Sequence, residues 1–169
     1  MYAKFVARDG SIIAVALLIW WLAAEHSAGT GMLADFTGFV AGVLLGLSGS
    51  LLHEWGHLLA AVGAGSVLHA NENLGSPFIF SFDPQRNSLS QFVIMSLGGL
   101  VVTVVLLVGF YAYLPDGLLA SRVARGAVLF LAFLGVSLEL PLFLFALGTR
   151  TVPAAAAVKV RQRGTPPVS

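Results

Sequence analysis

Four stretches of this chain are apolar over lengths that suit a lipid bilayer, and that pattern limits the fold more than any other feature. They run from Gly10 to Ala24, Phe36 to about Val62, Asn87 to Leu114, and from near Arg122 to Gly148. A membrane-spanning helix needs roughly 20 mostly apolar residues. The third stretch has no charged residue at all, and the second has none until His53-Glu54. The first is short but ends on Trp20-Trp21, a pair suited to the membrane–water interface. Lys4 and Arg8 before a short apolar run also fit a signal peptide. Glu25 and His26 stand where a cleavage site wants small residues, so a retained helix is the expectation.

Composition agrees. Hydrophobic residues make up 57% of the chain and charged ones 10%, against about 25% charged in soluble domains. A net charge of +1 offers no basic face for nucleic acid. With no cysteine, disulfide frameworks, zinc ribbons and thiol catalysis are excluded. The reading is an all-α integral membrane protein of about four transmembrane helices, whose first partner is the lipid bilayer. Residues 1–149 form one domain, and 150–169 form a basic, disordered tail.

The connections differ in kind. Leu114-Pro-Asp-Gly117 is a turn signal. Gly63 to Arg86 is longer, polar and dotted with glycine; within it, Pro77 to Phe82 reads as an extended strand with Phe78, Phe80 and Phe82 alternating. Lys4 and Arg8 precede the first span, and Lys159, Arg161 and Arg163 follow the last. Positive charge at both ends predicts a multi-pass protein of the plasma membrane with both termini cytoplasmic; Arg122 and Arg125 oppose that orientation. Gly38, Gly42 and Gly46 recur every four residues, and Gly98-Gly99 form a pair. Both predict close helix packing.

The second span carries His53-Glu54-Trp55-Gly56-His57. Residues four apart share a helix face, so both imidazoles can grip one metal ion. Two histidines are half of a tetrahedral zinc site, and Glu54 between them can take a proton from water at the metal. Ionisable groups inside a span cost on the order of 2.5–3.5 kcal/mol each, and a bound metal offsets that cost. A metal-free, hydrogen-bonded interfacial cluster is the alternative.

A catalytic zinc wants a third protein ligand and an open position. Glu139 is the only acid deep inside another span. His57 lies about five residues, and Glu139 about nine, before the cytoplasmic end of its span, roughly 8–14 Å from one surface at 1.5 Å per residue. Pro141 predicts a kink nearby that frees the carbonyl of Ser137. Glu139 as a neutral acid bonded to a neighbouring helix is the alternative. Asp83, Glu72 and Asp116 are loop residues and poorer ligands; His26 and His69 read as solvated loop histidines.

Taken together, these residues resemble the site-2 protease family of intramembrane zinc metalloproteases. His53-Glu54-Trp55-Gly56-His57, followed by Leu58-Leu59-Ala60-Ala61, is close to the family's HExGH and its small and apolar continuation. Ser96-Leu97-Gly98-Gly99-Leu100-Val101-Val102-Thr103 resembles the family's small-Gly-Pro-x-x-Asn segment, with Leu100 for the Pro and Thr103 for the Asn. Leu138-Glu139-Leu140 stands where the family has Leu-Asp-Gly, the source of the third ligand, and Leu131 and Leu134 replace its upstream Asn and Pro. A second alignment takes Pro141 as that proline and leaves no acid at the ligand position.

The resemblance implies a Zn2+ held by His53, His57 and Glu139, with Glu54 as general base. It implies cleavage of a membrane-embedded or juxtamembrane peptide segment, the substrate pairing with the Phe78–Phe82 strand. The altered motifs leave a second implication, a protease-like membrane subunit that no longer cleaves and serves a larger complex.

Overall fold

A computed structural model describes residues 2–25 and 31–154. Residues 155–169 of the basic tail expected over 150–169 lie outside the described residues, as does His26. The chain is mostly helical. Helix α1 spans Ala3–Glu25, α2 Met32–Gly63, α3 Leu89–Tyr113, α4 Leu119–Leu134 and α5 Leu140–Thr149. Between α2 and α3 lie strands β1 (Leu68–Ala70) and β2 (Phe80–Phe82), antiparallel, with Leu68 opposite Phe82 and Ala70 opposite Phe80. A π-helical turn, Gly135–Glu139, joins α4 to α5, so Leu119–Thr149 is one continuous helical rod. Among the described residues four helices, α1, α2, α3 and this rod, are long and apolar enough to cross a membrane.

Local sequence explains where the elements stop. Gly65, at φ +66°, follows the end of α2. The Gly65 amide donates to Val62 and the Ser66 amide to Ala61, the paired bonds of a glycine-terminated helix. Helix α3 opens on a capping box: the Gln91 amide donates to the Ser88 hydroxyl, and the Ser88 amide donates to the Gln91 side chain. The Gln91 side-chain amide also donates to the carbonyls of Ala64 and Gly65, tying the end of α2 to the start of α3.

Helix α2 is the central element and packs against α1, α3 and α4. Glycine sets two of those approaches. A Cβ on Gly42 or Gly46 would run into Val123 or Ala127 of α4, and one on Gly56 would meet the Gly98 carbonyl of α3. The packing expected of these glycines is what the structure shows. A buried hydrophobic cluster sits at the sheet end of the bundle, where Phe5, Leu58, Ile79, Phe80, Phe82, Phe92 and Met95 meet. Large apolar residues such as Val101, Val104, Val105 and Val108 point outward. That pattern suits a helix bundle solvated by lipid.

Three expectations need correction. Helix α1 begins at Ala3, not near Gly10, because Lys4 and Arg8 find backbone carbonyls in the 72–76 loop and need not stand outside the helix. The strand is Phe80–Phe82, shorter than Pro77 to Phe82, and it pairs with an unforeseen β1. Its side chains do not alternate in burial, since Phe80, Ser81 and Phe82 are all buried. Finally, the irregularity expected near Pro141 takes the form of a π turn, Gly135–Glu139, just before it. The Leu140 amide bonds the Gly135 carbonyl five residues back, and Pro141, which has no N–H to donate, follows directly.

Candidate metal centre

His53 and His57 stand one helical turn apart on α2, and both rings turn toward α3 and the α4–α5 rod. The Nδ1 of His53 lies 3.0 Å from the Gly99 carbonyl and 2.8 Å from the Thr103 hydroxyl. The Nδ1 of His57 lies 2.9 Å from the Met95 carbonyl. A carbonyl only accepts, so each Nδ1 carries a proton and each Nε2 of the neutral ring presents its lone pair.

Those two Nε2 atoms face each other at 3.0 Å. Glu139, on the last residue of the π turn, completes the group. Its Oε1 is 2.9 Å from His53 Nε2, and its Oε2 is 3.5 Å from His57 Nε2. Four electron-rich atoms, the two Nε2 and both Glu139 oxygens, therefore converge without a donor of their own between them. A cation, or an added proton, is what makes such an arrangement favourable. The Nε2–Nε2 separation of 3.0 Å and the 2.9 Å from His53 Nε2 to Oε1 lie a little under the ligand–ligand edge of about 3.3 Å that 2.0–2.1 Å bonds give around a tetrahedral ion. Glu139 Oε2 is buried and has no hydrogen-bond partner. A metal would occupy that vacant acceptor. The cluster of His53, His57 and Glu139 fits a metal ion.

Backbone proximity is part of the design. A Cβ on Gly99 would overlap the His57 imidazole, so only glycine there lets α3 come close enough to seat both rings. The expectation that Gly98-Gly99 mark a packing point was right but incomplete, because the pair also shapes the ring pocket.

One side of the cluster opens into a cavity of about 450 Å³. Glu54 lines it together with His53 and Glu139, and makes no hydrogen bond or ion pair among the described residues. Its carboxylate is free to accept a proton from a ligand in that space. The remaining helical walls are mostly apolar side chains of α1, α2 and the rod, with Arg8 and Ser50 the polar exceptions, and Leu74 to Pro77 of the inter-strand loop close another side.

Of the poorer ligand candidates, Asp83 pairs with His69 at 3.4 Å near the sheet, and Asp116 pairs with Arg125 in the α3–α4 turn. Neither joins the metal group. Of the two arginines that opposed the expected orientation, Arg125 is thus paired with an acid, and it also donates to the carbonyls of Phe110 and Leu114. Sequence reasoning missed Asp9. It is 1% exposed, accepts from Arg8 Nε at 2.6 Å, and accepts from the indole of Trp55 at 2.8 Å. The signal was there: an acid at the head of an apolar run, beside an arginine. The chain matches no protein-family model, no curated protein and no solved structure.

Proposed function

We propose that this chain is a multi-pass integral-membrane zinc peptidase of the site-2 protease type, acting on membrane-embedded or juxtamembrane peptide segments. One observation carries the reading. Two histidine Nε2 atoms and the Glu139 carboxylate converge on one point beside a cavity that also holds an unpartnered Glu54.

His53, His57 and Glu139 would hold the zinc. When bound, it supplies Lewis acidity toward a peptide carbonyl and brings the pKa of a water down to about 7. Glu54 accepts the proton of the attacking water and returns it to the departing amine, acting first as base and then as acid. The Gly99 and Met95 carbonyls and the Thr103 hydroxyl hold both imidazoles in the ligating tautomer. The apolar walls favour a substrate that arrives from lipid. Pairing of an extended substrate with the sheet would use β1, where His69 is exposed, because all three residues of β2 are buried. The sheet end of the bundle would face the cytoplasm of a plasma-membrane protein, along with both termini.

The departures at Leu100 and Leu138-Glu139-Leu140 support a second reading, a metal-holding subunit of a larger membrane complex that does not cleave. Zinc content and cleavage of a panel of single-span peptides, for wild type and Glu54→Gln in one detergent, separate the two. A peptidase cleaves as wild type and is silenced by the substitution with its zinc retained. A wild type that holds zinc and cleaves nothing in the panel favours the second reading.

A further inference from the structure

Leu74 to Pro77, which wall the cavity beside Glu54, belong to a loop that buries little of itself. The side chains of Glu72 to Gly75, Pro77 and Phe78 are all exposed. Two asparagine turns shape it, Asn71 Oδ1 accepting from Asn73 and Asn73 Oδ1 from Gly75. Its hold on the helices comes from α1. Lys4 Nζ donates to the Glu72 carbonyl at 2.9 Å, and Arg8 Nη1 donates to the carbonyls of Leu74 and Ser76, the latter at 2.8 Å.

Arg8 is itself held. Its Nε donates to Asp9, whose second oxygen accepts from Trp55, the middle residue of the His53–His57 segment. One buried carboxylate thus links the helix that bears the metal ligands to the guanidinium that grips the loop. A segment anchored by a few charge-assisted bonds, with little apolar burial, opens locally at low cost once those bonds are removed.

We propose that Arg8 is a positioning residue for this site: it latches the 72–77 strap across the cavity and sets how freely water and polar products pass between the site and the aqueous phase. The identity of what passes rests on the peptidase reading; the latch does not. Lysine in place of Arg8 keeps the charge but loses the planar fork that spans two carbonyls and Asp9, so it restores only part of the grip.

The chain has no cysteine, so a single Ser50→Cys in the cavity wall is a clean reporter. The Ser50 hydroxyl bonds only the Leu47 carbonyl of its own helix. The measurement is the labelling rate by a charged, water-soluble methanethiosulfonate in detergent, with Arg8 intact, Arg8→Lys and Arg8→Ala. We expect Arg8→Ala to raise the rate at least tenfold and Arg8→Lys to fall between, with zinc content unchanged in both. Ser121→Cys, at a fully buried site in α4, is the companion reporter and should stay unreactive in every background. Equal Ser50→Cys rates in all three backgrounds would overturn the latch. So would reactivity of Ser121→Cys in Arg8→Ala, since Arg8 would then be holding the helix bundle rather than the strap. Labelling needs neither metal nor turnover, so a chain that proved unable to bind zinc would leave this result to be decided on its own.

Discussion

At the scale of single residues, Glu54 and Glu139 carry the same functional group and are assigned different work. On the peptidase reading proposed above, glutamine at 54 cannot accept the proton of the attacking water. Zinc should stay bound while hydrolysis falls by about 10²–10⁴, the range for a lost general acid–base. Glutamine at 139 replaces a charged ligand by a weak neutral one, so zinc and activity should be lost together. Metal content and cleavage measured side by side on the two variants check this. Thr103→Val removes a hydroxyl 2.8 Å from His53 Nδ1 and should weaken zinc binding by about 10- to 100-fold, read by competition with a chelator. The histidines were legible in the sequence because their geometry is local: four residues on one helix is one turn. Glu139 was reached only by counting depth along two spans. Asp9, Arg8 and the loop carbonyls were not legible as a unit, because Lys4 and Arg8 read as orientation charges, and nothing local says that a side chain in the first helix will meet a carbonyl more than sixty residues away.

At the scale of elements, the π turn is what presents Glu139 to the histidines. An alanine inserted between Leu134 and Gly135 should rotate Glu139 by about 100° relative to α4, because the turn already absorbs one extra residue and does not take up a second. Zinc should be lost while the protein still elutes as a folded species. Retained zinc at full stoichiometry would show that the turn plays no part in aiming the carboxylate. Pro141 gave notice of an irregularity, but a proline can be absorbed by a kink or by an extra residue in the turn, and the choice depends on neighbours. The helix-packing glycines were easier to read, since spacing alone places Gly38, Gly42 and Gly46 on one face. Gly46→Leu should push α4 off α2 and lower thermal stability, at a cost of about 1–3 kcal/mol or more from overpacking. A melting curve in detergent gives the answer. Strand β1 escaped notice because three residues, Leu68 to Ala70, carry too little pattern to stand out in a polar loop.

At the scale of the whole molecule, four helices long and apolar enough to cross a membrane would put the sheet end and the α3–α4 turn on opposite faces of it. Single cysteines at Asn73 and Gly117 test this directly. With the orientation proposed here, Asn73→Cys should react only from the cytoplasmic side and Gly117→Cys only from outside. Reaction of both from one side would contradict the four-span arrangement. Hydropathy made the number of spans legible; orientation depends on loop charges, several of which are already engaged with carbonyls or carboxylates in the folded chain. The central claim is that His53, His57 and Glu139 form one metal centre. Zinc stoichiometry of the purified protein, measured for wild type, His57→Ala and Glu139→Gln after identical loading and dialysis, tests it most directly. The expected result is one tightly held zinc per wild-type chain and none in His57→Ala, with Glu139→Gln losing most of its zinc. A wild type that holds no zinc, or a His57→Ala variant that holds as much as wild type, would contradict it.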